Sequence, residues 1–320
     1  FSAAERGALE HEYQRARLPE SERASLGFAL GNVLEARARY PEAFTSFVGA
    51  NALCRRTLRW NRARYTSYCD QVLEAFPAKA ADASTSDLGE GLIFVIGLPD
   101  SFASNVARIL RAHPDIGTNT AIDPARILAV ESKRRGRKFQ EWAAQATPAD
   151  WQRLGRATIE AMRSQGSASH RLLDATAFST ALAGAVAAML PRVRFIAIGN
   201  DPLDTCWSCF KSDYTTGHAY SYDFAELAAC WHDHQRLVQR WLERMPERIH
   251  RVDAVDVRAD ATASIERMLA HCGLASTDAT RQIAHALETH DRVAASAYGD
   301  LLKPLAQMVK AASAPRPEIG

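Results

Sequence analysis

Ile93-Phe-Val-Ile-Gly-Leu-Pro-Asp-Ser-Phe-Ala-Ser104 reads as a strand that turns through a loop into a helix. The apolar run Ile93 to Ile96 suits a buried strand, Gly97 and Pro99 mark a turn, and residues 105–112 can wind as a helix. A helix whose first turn follows such a strand offers free backbone N–H groups and a positive dipole end to an anion. Phosphate-binding loops of this outline add a cation, and glycines that let the backbone approach closely. Here the loop carries Asp100 and Phe102 instead. A carboxylate a few ångströms from a phosphate repels it by roughly 1 to 4 kcal/mol. The outline of an anion site is thus joined to chemistry that opposes one.

Outward from this stretch, strands are expected at 92–96, near 170–173, at 193–199 and at 249–254. Helices are expected at 104–112, several times between 123 and 166, and at 178–190, 203–211, 223–244, 261–272, 278–288 and 296–311. Strands alternating with helices predict a parallel sheet covered on both faces. Ligands of such sheets bind beyond the carboxyl ends of the strands, where strand order reverses, which points to the loops after Ile96 and Ile198.

Ahead of the sheet, Leu30, Gly31, Leu34, Ala38, Tyr40, Ala43, Phe47 and Ala50 fall where a tetratricopeptide helical hairpin needs small and large residues. Gly31 and Ala43 let two helices approach, Leu34, Tyr40 and Phe47 fill the seam, and Pro41 opens the second helix. One such repeat needs neighbours, which helices at 4–17 and 60–76 supply. Residues 78–90 read as a linker, giving a helical domain over 1–86 and an α/β domain over 87–320. Phe1 is not a methionine, so a segment upstream is expected.

Lys+Arg 39 against Asp+Glu 37 leaves +2, no footprint for nucleic acid or an anionic membrane surface. The basic run Lys133-Arg-Arg-Gly-Arg-Lys138 reads as a solvated loop or helix end, the alternative being a grip on an anionic acceptor or partner. Six cysteines form no dense disulfide framework, which suits a reducing cytoplasm. Cys206-Trp-Ser-Cys209 lies on a predicted helix with no second pair at zinc spacing, and reads as packing. His232 and His234, two apart on a helix, point different ways and make a poor chelating pair, so no metal is expected. No apolar run reaches the roughly 18 residues of a membrane helix, and no signal peptide pattern is present.

Arg194-Phe-Ile-Ala-Ile-Gly-Asn-Asp-Pro-Leu-Asp-Thr-Cys-Trp-Ser-Cys-Phe210 continues into Asp213-Tyr-Thr-Thr-Gly-His-Ala-Tyr-Ser-Tyr-Asp223. With these runs, residues 26–310 resemble the bacterial tetratricopeptide-repeat sulfotransferases. Those enzymes move a sulfuryl group from 3′-phosphoadenosine 5′-phosphosulfate (PAPS) to an acceptor. The resemblance implies an α/β fold with a P-loop-like parallel sheet flanked by helices, behind an N-terminal all-α tetratricopeptide-like unit.

It also implies a donor site, against which this chain departs. Where the family loop reads Pro-Arg-Ser-Gly-Thr-Thr, the residues are Pro99 to Ser104: Ser101 and Ser104 keep hydroxyls, while Asp100 replaces the cation and Phe102 the glycine. The family's glutamate base falls on Ala121, with Asp123 the nearest carboxylate. The family's Asp-Lys-Met-Pro keeps only Asp174. For the 3′-phosphate, Asn200 replaces an arginine, Ser208 survives, and Val293-Ala-Ala295 replaces a late Gly-Arg-Trp. Each lost charge-assisted hydrogen bond is worth about 1.5 to 3 kcal/mol. Four lost cations remove something like 6 kcal/mol, enough to turn micromolar binding into millimolar.

The sequence therefore reads as a sulfotransferase-like protein without standard PAPS-dependent transfer, using no cofactor, whose site serves another reaction or binds a small molecule or peptide. His218, in Gly217-His-Ala-Tyr220, is the candidate catalytic or substrate-facing group. Ser101, Ser104, Ser208 and Asn200 would hold a nucleotide if one binds. Asp201 and Asp204 read as helix caps. One rival is an active sulfotransferase whose donor contacts moved to Arg108, Arg111, Lys211 or the run 133–138. Another is an interaction scaffold that takes a protein partner through the tetratricopeptide-like unit.

Overall fold

Leu92–Ile96 (β1) is buried at every position, as befits a central strand of a sheet covered on both faces. The computed structural model describes residues 18–76, 86–99, 101–117, 124–163, 171–178, 180–214, 217–288 and 294–312. The other strands are Ile116–Gly117 (β2), Arg171–Phe178 (β3), Arg194–Gly199 (β4) and Ile249–Asp253 (β5). All pair in parallel, in the order β2-β3-β1-β4-β5. β2 and β3 lie on one side of β1, β4 and β5 on the other, so strand order reverses at the end of β1.

The helices in chain order are Glu20–Glu35 (α1), Tyr40–Thr57 (α2), Arg62–Ala75 (α3), Ser101–Arg111 (α4), Pro124–Arg135 (α5), Phe139–Ala143 (α6), Pro148–Arg163 (α7), Ala183–Met189 (α8), Pro202–Phe210 (α9), Phe224–Arg244 (α10), Ala254–Ala259 (α11), Ala261–His271 (α12), Asp278–Glu288 (α13) and Lys303–Ala312 (α14). The expected elements appear, with adjustments: the helix expected from 178 begins at Ala183, behind a 3₁₀ turn at Thr180–Leu182. α4 begins at Ser101 rather than 104, and β3 runs on to Phe178. The short β2 and α11 carry too few residues to show a period. A 3₁₀ segment, Ala295–Leu302, precedes α14 and is broken at Gly299, where φ is 52°. The helix expected at 4–17 and most of the 78–90 linker lie outside the described residues.

The chain groups into two compact units: Phe1–Tyr65 with Asp201–His232 and Asp291–Gly320, and Thr66–Asn200 with Asp233–His290. In the second, sheet-bearing unit, alternation along the strands sends Ile93, Val95, Ile196, Ile198 and Val252 to one face. There they pack with Val106, Ile109 and Leu110 of α4 and Ile265, Met268 and Leu269 of α12. The opposite face carries Phe94 and Phe195, with ring centroids 6.0 Å apart.

In the first, helical unit, α1 and α2 pack closely. A Cβ on Gly31 would lie 2.5 Å from the Phe47 ring, so only glycine fits. The buried Ser46 hydroxyl donates to the Gly27 carbonyl at 2.8 Å. Trp207 of α9 joins them, its ring 5.8 Å from both Phe44 and Phe47 and 4.6 Å from Tyr298. These aromatic contacts are why residues 201–232 group with the N-terminal helices.

Candidate functional site

The loop at the strand reversal is Gly97-Leu98-Pro99. A Cβ on Gly97 would sit 3.1 Å from the Ile198 Cβ, so the glycine lets the chain leave β1 pressed against β4. α4 then starts at Ser101. Phe102 is 9% exposed and belongs to the apolar core, with Val106, Ile109 and Leu110 of its own helix and Ile93 and Val95 of β1. Its ring is therefore turned into the core. Once the helix begins at Ser101, Phe102 stands four residues before Val106 and shares its core-facing stripe. Ser104 is exposed. Asp100, Ala121, Asp123 and Val293 lie outside the described residues, as does the Ser101 side chain.

Beside this loop, the ends of β4 and β5 carry an arrangement that sequence reasoning missed. Arg251 Nε donates to both carboxylate oxygens of Asp253, at 2.9 and 3.0 Å. A Cβ on Gly199 would fall 1.8 Å from Asp253 Oδ1, so the glycine makes room for the pair. Arg251 and Asp253 are two apart on β5 and pair with Ala197 and Gly199, a relation visible only once the register is known. Asn200 follows β4 and is half-buried. In the same unit the buried His234 lies 2.9 Å from the Thr180 hydroxyl. Burial first, and then the Arg251 charge, pull its pKa down to about 4, so it is neutral at physiological pH.

β3 carries a further irregularity. Its register with β1 runs from Phe94↔Asp174 to Ile96↔Phe178, so two extra β3 residues bulge where the family motif has its lysine. Bulges at strand ends re-aim neighbouring side chains. Asp174 is buried, 1% exposed.

The other expected site residues belong to the helical unit. Ser208 on α9 is half-buried, and its carbonyl accepts from the Ser212 hydroxyl at 2.9 Å. His218 is half-buried; its Nδ1 lies 3.0 Å from the Tyr220 hydroxyl, and its ring 4.5 Å from that of Tyr214. Burial lowers its pKa. Thus Ser101, Ser104 and Asn200 fall in the sheet unit, while Ser208 and His218 fall in the helical unit. The Asp201 carboxylate caps α9 by accepting from the Leu203 and Asp204 N–H groups at 2.8 and 3.0 Å, as expected. Asp204 instead accepts from the Ala295 N–H at 2.8 Å. Cys206 and Cys209 are fully buried thiols, and burial raises the first well above its usual pKa.

Of the cations of the rival reading, Lys133 and Lys138 are exposed. Lys211 lies 2.6 Å from Glu35. In the basic run, Arg134 and Arg135 both reach the buried Glu131 carboxylate at 2.6 Å, where Arg153 joins them at 2.7 Å. Arg137 donates to Gln145 at 2.8 Å. Arg108 and Arg111 are exposed in the last turn of α4. Among the described residues no group of His, Cys, Asp and Glu could hold a metal ion, and no helix is long and apolar enough to cross a membrane.

Comparison with known proteins bears on this arrangement. An uncharacterized protein of Aquifex aeolicus (strain VF5) is 22% identical over 274 residues, covering 80% of this chain; the chain spans only 35% of that relative's length. A sulfotransferase structure from Mycobacterium avium aligns with a TM-score of 0.43 at 13% identity, over 97% of this chain and 95% of its own. One from Mycobacterium tuberculosis H37Rv gives 0.41 at 12%, over 97% and 99%. The model of the sulfotransferase family matches residues 93–278, more than half of the 320, and covers the strand, loop and helix from which the site is built. The chain belongs to the sulfotransferase family.

Proposed function

We propose that this sulfotransferase-family chain has lost standard PAPS-dependent sulfuryl transfer, and that the inherited ligand site serves another reaction or binding. The observation that carries this is that four of the cations that could have replaced the missing ones are paired with carboxylates. Lys211 is held by Glu35, Arg134 and Arg135 by Glu131, and Arg251 by Asp253. Arg108 and Arg111 stand seven and ten residues beyond Ser101, so roughly 10 and 15 Å along α4 at 1.5 Å per residue.

The backbone N–H groups of the first turn of α4 remain, and Phe102 turns away from them into the core. What PAPS would lack here is positive charge. Asp100 stands where the family has its loop arginine, and Asn200 where it has its 3′-phosphate arginine. The residues present do not fit the donor. By the charge-assisted bond scale, about 6 kcal/mol of donor binding is missing, a penalty of roughly 10⁴-fold.

The packed pair α1 and α2, with Gly31 under Phe47, supports a tetratricopeptide-like unit suited to a protein partner. Six thiols and the absence of any disulfide suit a cytoplasmic setting.

The test is transfer from radiolabelled PAPS to a panel of phenol, sugar and tyrosyl-peptide acceptors. No acceptor-dependent product is expected. Turnover by the wild-type chain would sink the proposal, and would favour an active enzyme with relocated contacts.

A further inference from the structure

Residues 124–163, from α5 through α7, carry nine Lys and Arg against four Asp and Glu, a net +5 by difference. The whole chain is only +2, so the remainder is net −3 (2 minus 5). The positive charge of this protein is gathered on one stretch of three helices. At its centre lies the Glu131 carboxylate, 3% exposed. Arg134 Nη2, Arg135 Nε and Arg153 Nη2 all reach Glu131 Oε1, at 2.6, 2.6 and 2.7 Å. Nitrogens that share one oxygen at those distances stand within 5.3 Å of one another (2.6 plus 2.7). Asp150 takes the other end of Arg135 at 2.5 Å. Three guanidiniums thus face two carboxylates, and one positive charge is left over.

Arg134 and Arg153 remain 59% and 49% exposed, with N–H groups to spare for a second acceptor. The platform beneath them is packed. Arg135 lies 5.0 Å over the Trp142 ring, Trp142 Nε1 donates to Ser132 Oγ at 2.9 Å, and Trp151 stands 5.4 Å away. Groups already held in place lose little freedom when a partner binds. Lys133, Lys138 and Arg156 are exposed as well. Cations in the last turn of α5 suit the negative end of its dipole, but Lys138, Arg153 and Arg156 lie beyond that turn. Val130, 63% exposed, precedes Lys133 and Arg134 by one turn on the same face. An apolar side chain among cations suits a peptide that is both acidic and apolar, and the net negative remainder disfavours an extended nucleic acid. We infer that Val130, Lys133, Arg134, Lys138 and Arg153 form a docking surface for an acidic segment of a protein partner. Its carboxylates meet the guanidiniums while an apolar residue covers Val130. This surface goes beyond the reading of the β1 loop, and its charge is the same whether or not PAPS binds there.

The test is fluorescence anisotropy of the full chain with a labelled peptide of Glu-Glu-Leu repeats. Its Gln-Gln-Leu counterpart, a single-stranded oligonucleotide of equal charge and 3′-phosphoadenosine 5′-phosphate serve as the other arms. The acidic peptide alone is expected to bind, more weakly as salt is raised. Lys133→Glu with Lys138→Glu, which leaves the Glu131 cluster untouched, should weaken it on the order of tenfold. Val130→Gln should weaken it roughly threefold. No binding of the acidic peptide, equal binding of the Gln peptide, tighter binding of the oligonucleotide, or a double variant as tight as wild type would each overturn the inference. Nucleotide binding that the double variant abolishes would assign these cations to the donor and overturn it too. Nucleotide binding that survives the double variant would contradict only the proposed loss of the donor site, so the two failures are separable.

Discussion

Lys211 Nζ lies 2.6 Å from Glu35 Oε1, and the same oxygen accepts from the Tyr298 hydroxyl at 2.7 Å. Both charged side chains are about five-sixths buried, at 16% and 14% exposure. Removing the carboxylate leaves a mostly buried ammonium and a phenol without their acceptor. Glu35→Ala is expected to cost about 3 kcal/mol of stability. The double variant Glu35→Leu with Lys211→Met should recover much of it, since apolar groups of similar volume replace a buried pair well. Urea unfolding measures both. An Ala variant within about 0.5 kcal/mol of wild type would mean the pair contributes nothing beyond an exposed one.

Phe102 ties the donor loop to the core. Restoring the family's glycine with Phe102→Gly should cost about 3 to 5 kcal/mol through the cavity it leaves. A melting temperature unchanged by this variant would contradict the core assignment of the ring. Any gain of donor binding in a double variant with Asp100→Arg must therefore be read beside its stability.

His234 and His271 both have pKa values pulled down to about 4, by burial first, with Arg251 adding for His234 and Arg194 and His250 for His271. In the unfolded chain each titrates near 6.5. The unfolded state thus takes up protons first as pH falls. Their contribution to stability is complete above about pH 6.5 and is lost on the way down to about 4. Melting temperature should decline across that window, and His234→Gln should flatten the decline. An equal slope in wild type and variant would argue against a buried neutral His234.

Glu131 is held well below the usual carboxylate range, chiefly by the Arg134 hydrogen bond, with Arg135 and Arg153 adding. Its ordinary value is 4.5, so its contribution is present above that pH and is lost as pH falls below it. Glu131→Gln should lower the melting temperature at pH 7 and flatten the acid limb below pH 4.5, apart from the histidine window. A variant with an unchanged acid limb would place the arginine cluster outside the stability of the fold.

Much of this was legible in the sequence for physical reasons. Ile93 to Ile96 could only be a strand buried on both faces, and Gly31 with Phe47 announced a close helical pair. The Asp201 cap followed from its place before Pro202. The orientation of Phe102 was not legible, because it depends on α4 starting at Ser101 rather than three residues later, and a three-residue change turns the core-facing stripe by most of a turn. The Gly199, Arg251 and Asp253 arrangement required the β4–β5 register, which no local pattern encodes. The Trp207 contact with Phe44 joins residues 163 apart in sequence (207 minus 44), and neither segment signals the other.

The central claim concerns charge at the end of β1, and calorimetric titration of the wild-type chain with 3′-phosphoadenosine 5′-phosphate tests it most directly. The account predicts a dissociation constant of about 1 mM or weaker, as four missing charge-assisted contacts require. A low-micromolar constant would contradict it.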